Sequence, residues 1–231
     1  MSRAAALAVV LSMHAGIAAA QTPDISGFWE LPLDGRRVPA AALAAAVTQD
    51  VLARQARADA HAIRWCNYLG MPALMDSWRP LDIRLGRREV VIQPEANATP
   101  RHIYLNRGHV PEEEFDPTTN GDSVGRWEGQ TLVVTTRGFA ADRGLTAIPG
   151  GGFRTASTRL TERYRLLDNG SVLSVTFTWD DAGVFAKPHT YEFRYRRLPA
   201  QYSPRPPLAC DPFDEERTTF LTGTTPTGST R

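Results

Sequence analysis

The sequence predicts a mainly β protein that folds as an antiparallel up-and-down barrel with one N-terminal helix. From Leu81 onward, apolar residues recur at every second position, which is the pattern of strands that bury one face. Turn sequences such as Asp168–Gly170 separate these segments. A series of short strands joined by tight turns favours a closed or strongly curved sheet over an α/β fold.

The one long helix is predicted over residues 39–63. Pro39 suits the first position of a helix, where its missing N–H costs nothing. The alanines that follow favour a helix, and Leu43 and Val47 lie four apart on the face expected to be buried. On the same pattern, Asp59 is expected to lie toward water.

At least seven strands are expected after the helix. Trp127–Gln130 and Asp168–Gly170 are predicted hairpin connections between them. The longer segments 111–122 and 138–152 are predicted loops at the edge of a binding site. The expected strands include residues 81–85, 90–93, 103–105, 131–136, 158–167, 172–179 and 191–195.

The chain is predicted to consist of a signal peptide, one domain and a tail. Residues 1–20 contain one charged residue, Arg3, then an apolar run and a final Ala18–Ala20, the pattern of a cleaved secretory signal. Residues 21–213 then form a single β-barrel domain, and residues 214–231, rich in Thr, Gly and Pro, form a disordered tail. We therefore expect a periplasmic or secreted protein.

The chain has two cysteines, and an exported protein can oxidise them. Cys66 and Cys210 are therefore predicted to form one disulfide, which would tie the C-terminal segment to the region after the helix. A metal or redox pair is the alternative, although the spacing is far from C-x-x-C.

The charge balance disfavours a nucleic-acid partner. The chain has 26 basic and 25 acidic residues, whereas phosphate binding uses a basic surplus. After residue 20, no apolar run approaches the ~20 residues that a membrane helix needs. The common nucleotide, metalloprotease and hydrolase motifs are missing from the sequence, so we expect no cofactor and no metal. The oligomeric state stays open.

Glu162 is a candidate for proton transfer. In the 158–167 strand it shares a face with Leu160 and Tyr164, and if that face points inward the carboxylate lies inside the barrel. A buried carboxylate is either paired or has a raised pKa, and both states are useful in catalysis. The alternative is a structural ion pair with an inward arginine such as Arg126.

A second set of candidates lies around residues 101–109. His102 and Tyr104 share one face of their strand and could exchange protons with a ligand, while Arg101 could hold an anionic group. The alternative is that His102 and Tyr104 face solvent. A zinc site is a further alternative for the residues His102, His109, Asp122 and His189, although no two of them have helical ligand spacing.

Several segments together resemble a family of secreted bacterial proteins. The most specific is Gly121–Val134, with the sequence GDSVGRWEGQTLVV, and the resemblance extends over roughly residues 24–210. The family pattern has His in place of Asp122 and a His-Ser pair in place of Arg154–Thr155, so a histidine site of that family would be altered here. The other matching segments are Gly27–Trp29, Cys66–Pro72, Arg101–Leu105, Arg107–His109 and Glu162–Tyr164.

The Gly27–Trp29 segment and the strand series are also similar to lipocalin-like proteins. That resemblance implies a barrel closed at one end by the tryptophan, with a cavity for a small, mostly apolar molecule. Fold similarity alone does not define an activity.

These observations predict a lipocalin-like barrel that binds a small aromatic or apolar molecule in its cavity and converts it by metal-free acid–base chemistry of the lyase, hydratase or isomerase type. The alternative is a non-catalytic periplasmic binding or carrier protein. The catalytic hypothesis requires Glu162 and Tyr104 to face the same cavity. The predicted proton-transfer residues are Glu162, Tyr104, His102 and Asp122. The predicted ligand-binding residues are Arg101, Arg126, His109, Trp127 and Tyr164.

Overall fold

The computed structural model describes residues 22–64, 70–77, 79–95, 99–141 and 144–204. For residues 61–64 it describes the backbone but not the side chains. The signal peptide, the tail and the disulfide between Cys66 and Cys210 lie outside the described residues, so these expectations stay predictions. No helix in the described ranges is long and apolar enough to span a membrane.

Nine strands form one closed barrel in the order in which they occur in the chain. Neighbouring strands are antiparallel except β4 and β5, and β9 pairs with β1 to close the sheet. The predicted mainly β barrel with one helix is therefore confirmed. The strands are β1 (Gly27–Glu30), β2 (Leu81–Leu85), β3 (Glu89–Pro94), β4 (Arg101–Tyr104), β5 (Asp122–Glu128), β6 (Thr131–Arg137), β7 (Arg159–Leu167), β8 (Val172–Asp180) and β9 (His189–Arg197).

Strand alternation fills the barrel with apolar and aromatic side chains. Every second residue of β8 from Leu173 to Trp179 is buried, and so are Tyr191, Phe193 and Tyr195 of β9. The rings of Phe177 and Tyr191 stack across this strand pair with their centroids 5.1 Å apart. The inward side chains of these two neighbouring strands therefore pack side by side, and most of them are aromatic.

The parallel pair β4 and β5 departs from the predicted up-and-down topology. Two parallel neighbours need a crossover connection, because the chain must return to the end from which the first strand started. Residues 105–121 make this return along the outside of the barrel, where the Arg107 guanidinium lies 4.0 Å from the centre of the exposed Tyr104 ring. We call residues 105–121 the crossover segment.

The helix α1 spans Gln49–Arg64 and begins ten residues later than predicted. Thr48 precedes it, and the Thr48 hydroxyl accepts a hydrogen bond from the Val51 amide at 3.4 Å. A hydroxyl in this position satisfies one of the amides that a helix start leaves unpaired. The helix therefore begins after the capping residue Thr48 and not at Pro39.

Residues 41–44 lie outside the helix, and their backbone hydrogen-bonds to two distant loops. The Ala41 amide donates to the Gly150 carbonyl at 2.8 Å, and the Ala44 amide donates to the Val184 carbonyl at 2.9 Å. The helical preference of an alanine is a fraction of a kcal/mol, so these tertiary hydrogen bonds override it.

Asp59 attaches α1 to the loop after β6, which corrects its predicted position toward water. Its carboxylate accepts from the Thr146 amide at 3.1 Å, from the Thr146 hydroxyl at 3.0 Å and from the Ala147 amide at 3.2 Å. Asp59 is 8% exposed. A buried carboxylate needs such donors, and here a distant loop supplies them.

Trp29 lies at the barrel end where β1 begins and β9 ends. Its side chain is fully buried, and its Nε1 donates to the Ile25 carbonyl at 3.0 Å. The Arg197 guanidinium lies 4.1 Å from the centre of a Trp29 ring, a cation–π contact. This position agrees with a tryptophan that closes one end of the barrel.

Trp29→Ala is expected to lower the free energy of unfolding by about 3–5 kcal/mol, because it removes a fully buried aromatic side chain. Leu33→Ala is the control, since Leu33 is 82% exposed and its loss removes little packing. Urea unfolding followed by circular dichroism measures both variants. Equal losses in the two variants would contradict the packing role of Trp29.

Candidate functional site

An ion pair between Arg101 of β4 and Glu162 of β7 lies in the barrel interior. Arg101 Nη1 donates to Glu162 Oε1 at 2.8 Å, and Arg101 Nη2 donates to Glu162 Oε2 in a second, parallel contact. Both side chains are 0% exposed. Two parallel hydrogen bonds between a guanidinium and a carboxylate make a strong, geometrically specific pair. The predicted inward position of Glu162 is confirmed.

Three hydroxyl groups complete the hydrogen bonding of this pair. The Tyr164 hydroxyl donates to Glu162 Oε1 at 2.8 Å. Arg101 Nη2 donates to the Thr136 hydroxyl at 2.9 Å and to the Ser123 hydroxyl at 3.1 Å. Both buried charges are therefore surrounded by polar partners, as buried charges require.

Burial and charge determine the protonation of this network. Burial raises the pKa of Tyr164 well above its usual value, and the Glu162 carboxylate raises it further. Burial by itself would lower the pKa of Arg101, but the Glu162 carboxylate outweighs burial and the pKa is raised. Arg101 therefore stays charged and Tyr164 stays neutral. Because these side chains have no exposed area, no water-sized space touches them, and the geometry favours a structural ion pair.

His102 and Tyr104 lie on the other side of the barrel wall. In β4, Arg101 and Ile103 are buried and the two residues between and after them are exposed. An apolar Ile103 must face the core, so alternation places both of its neighbours outside. The expectation that Glu162 and Tyr104 face one cavity is therefore wrong, and the catalytic hypothesis that depended on it fails.

Arg126 also lies on the outer face, not beside Glu162. Its side chain is 66% exposed, and its Nη2 lies 2.7 Å from Glu128 Oε1. The preceding Gly125 packs inward against β4 and β6 side chains, so the next residue has to point outward. The prediction of Arg126 as the partner of Glu162 is therefore wrong, because Arg101 forms that ion pair.

Asp122 and His109 are brought together on the outer face by the crossover segment. Asp122 Oδ2 lies 2.8 Å from His109 Nδ1 and accepts from the Val110 amide at 3.0 Å, while Asp122 Oδ1 accepts from Arg107 Nη2 at 2.5 Å. His109 Nε2 lies 2.9 Å from Thr135 Oγ1. The Asp122 side chain is 1% exposed and the His109 side chain 21%. The result is a chain of carboxylate, imidazole and hydroxyl.

The hydrogen bonds of Asp122 define the protonation of this chain. Burial alone would raise the pKa of Asp122, but hydrogen bonds from Arg107, His109 and the Val110 amide outweigh burial and lower it. The ionised carboxylate can only accept, so His109 Nδ1 carries a proton and donates to it. In the neutral form of the imidazole, Nε2 carries no proton and accepts a hydrogen bond from the Thr135 hydroxyl.

The four residues of the alternative zinc site are not assembled in the described part of the chain. His109 and Asp122 are in contact, but His102 Nδ1 lies 2.8 Å from Glu89 Oε2 in a separate contact on the outer face. His189 is buried, and its Nε2 donates to the Pro149 carbonyl at 2.8 Å. Across the described ranges, no group of three or more His, Cys, Asp or Glu side chains could hold a metal ion.

Trp127 and Arg126 line a cleft at the barrel end where β4 and β5 finish. The cleft has a volume of about 370 Å³. Leu85, Leu105 and Trp127 supply apolar surface, and Arg87 and Arg126 supply positive charge. Apolar walls with a few cationic groups suit a small molecule that carries a negative charge.

Three hydroxyl residues of these networks were missed by sequence analysis. Ser123 and Thr136 share the inward alternation of Gly125 and Val134, so the strand period could have placed them inside. Thr135 has an outward position and no distinguishing sequence pattern. Only the path of the crossover segment brings His109 to it.

The fold and these contacts define the class of the protein: a closed nine-stranded, lipocalin-like barrel with one α-helix among the described residues and a hydrogen-bonded ion pair in its interior. No model of a known protein family matches the sequence. No curated protein is significantly similar to it. The resemblance to a family of secreted bacterial proteins therefore stays a prediction from the motifs.

Glu162→Gln is expected to lower the free energy of unfolding by about 3–5 kcal/mol, because the Arg101 charge is left buried without a counter-charge. The double variant Arg101→Met/Glu162→Gln removes both charges and should recover part of this loss. Glu128→Gln, in an exposed ion pair, should stay near the wild-type value. Urea unfolding measures all three, and a Glu162→Gln variant as stable as Glu128→Gln would refute the structural ion pair.

Asp122 is expected to make stability depend on pH in the acid range. Its lowered pKa means that the folded carboxylate binds a proton less readily than the unfolded one, so stability is present above the ordinary value of 3.8 and is lost as the pH falls through the lowered pKa. Between about pH 6 and about pH 3, the urea concentration at the unfolding midpoint should therefore fall less for Asp122→Asn than for wild type. Asp180→Asn, at an exposed position, is the control, and an unchanged slope in Asp122→Asn would contradict the prediction.

Proposed function

We propose that this protein binds a small amphipathic anion, an aromatic or aliphatic carboxylate, in the cleft beside Trp127. The observation that carries the proposal is the pairing of apolar walls with guanidinium groups in one cleft of about 370 Å³. A pocket of this kind buries an apolar body and neutralises an acidic group. The proposal moves the ligand from the barrel centre, where sequence analysis expected it, to one barrel end.

Arg87 is the group best suited to hold the carboxylate. Arg126 already has a carboxylate partner in Glu128, whereas Arg87 has no acidic partner in the ranges that the structure describes. Arg87 also borders an adjoining cleft of about 710 Å³, together with Asn106. An unpaired guanidinium at a cleft edge, next to an amide side chain, can bind both oxygens of a carboxylate.

The geometry favours a binding or carrier protein over a lyase or isomerase that acts inside the barrel. Arg101, Glu162 and Tyr164 are enclosed by packing, and His102 and Tyr104 lie outside. The buried set of Arg101, Glu162 and Tyr164 and the outer pair of His102 and Tyr104 therefore cannot act together on one ligand. The predicted signal peptide and the resemblance to secreted proteins support a role outside the cytoplasm.

The proposal is tested by titrating the purified protein with 2-naphthoate and with 2-naphthylmethanol, its uncharged analogue, in a calorimeter. Wild type should bind 2-naphthoate more tightly. Arg87→Gln should lower the affinity for 2-naphthoate by about tenfold, because one charge-assisted contact is lost, and should leave the affinity for 2-naphthylmethanol unchanged. Trp127→Ala should lower the affinity for both probes.

Arg163→Gln is the matched control, since Arg163 is an exposed arginine of β7 that does not line the cleft. Wild-type affinity for both probes is expected. The proposal is wrong if wild type binds neither probe, or if Arg87→Gln and Arg163→Gln change the affinity for 2-naphthoate equally.

A further inference from the structure

The side chains of Asp122, His109 and Thr135 form a relay on the outer face of the barrel. The carboxylate and the imidazole Nδ1 are 2.8 Å apart, and the imidazole Nε2 and the threonine hydroxyl are 2.9 Å apart. Both distances lie within the range for proton transfer between an oriented base and a nucleophile. None of the three residues lines the cleft beside Trp127, so the inference does not depend on the proposed ligand.

The direction of the hydrogen bonds suits nucleophilic chemistry. The ionised Asp122 holds the proton of His109 on Nδ1, which leaves Nε2 free to take the proton of Thr135. An acidic residue that orients a histidine, which in turn accepts from a hydroxyl, is recognised by geometry and not by chain order. His109 and Thr135 are half-buried, so solvent and a small substrate can reach them.

Positive charge borders the relay. Arg107 donates to Asp122, and Arg137 lies two residues after Thr135 on the same face of β6, where its Nη2 donates to the Val110 carbonyl at 2.8 Å. Oriented guanidinium donors stabilise negative charge that develops on a carbonyl oxygen.

We propose that Thr135 is the nucleophile of an esterase-type site, with His109 as general base and Asp122 as the residue that positions it. The Thr135 oxygen attacks the carbonyl carbon of a small ester while its proton passes to His109 Nε2. The bond between the carbonyl carbon and the alcohol oxygen then breaks, and the imidazolium returns the proton to the departing alkoxide. A water molecule, deprotonated by the same imidazole, hydrolyses the threonyl ester and releases the carboxylic acid and free Thr135.

The same contacts also hold the crossover segment against the barrel, so the experiment must separate catalysis from stability. The purified protein is assayed with p-nitrophenyl acetate, and a fluorophosphonate probe is used to label the nucleophile for peptide mass spectrometry. Wild type should release p-nitrophenolate faster than buffer and carry the probe on Thr135.

Thr135→Val should lower the rate by about 100-fold or more, the usual contribution of an assisted nucleophile, and abolish labelling. Thr135→Ser keeps a hydroxyl and should keep both activity and labelling at residue 135. Thr161→Val is the matched control, because Thr161 lies directly opposite Thr135 on β7 and also faces outward. Its rate should equal that of wild type.

Three results would overturn the proposal: a wild-type rate equal to that of buffer, a probe attached elsewhere, or equal rates for Thr135→Val and Thr161→Val. If Thr135→Val does not fold, the proposal is tested by the labelled residue alone: the probe must be attached to residue 135 in both wild type and Thr135→Ser. With any of the overturning results, the relay serves only to anchor the crossover segment.

Discussion

Two opposite charges lie at the centre of the barrel, and neither can reach water. Transfer of a single unpaired ion into such a place costs several kcal/mol, so Arg101 and Glu162 can be buried only together. Their two parallel hydrogen bonds also require β4 and β7 to present these residues at matching depth, although the strands are not neighbours in the sheet. Ser123 and Thr136 on the intervening strands supply the remaining acceptors. The pair thus restricts the register of four consecutive strands.

Because this network fills the interior, the polar side chains that a ligand can reach lie on the outer face of the barrel and at its ends. Arg101 and Ile103 face inward, so the intervening His102 is outward by strand alternation. The outer face receives further groups because β4 and β5 are parallel and the chain must return between them. That return places His109 against Asp122 and Thr135. A single irregularity of topology therefore creates the outer relay.

Parts of the candidate site follow from strand period alone. The inward position of Glu162 with Tyr164 is a consequence of alternation in a strand whose apolar members are clear. The contact of Asp122 with His109 does not follow from any period, because it depends on the path of an irregular segment. The choice of Arg101 over Arg126 as the buried cation needed the positions of Ile103 and Gly125, and both arginines lie in strands with few apolar residues to define the face.

The sequence by itself determined the class of fold, the tight connections and the inward face of β7, because the alternation of apolar residues and the turn residues are local properties of the chain. The tertiary structure alone decided the parallel pairing of β4 with β5, the late start of α1 and the partner of each charged group. These features depend on which distant groups offer hydrogen bonds and burial. Asp59 bonds to Thr146, and Ala41 bonds to Gly150. In each of these pairs the two residues are far apart in the sequence, by 87 positions for Asp59 and Thr146.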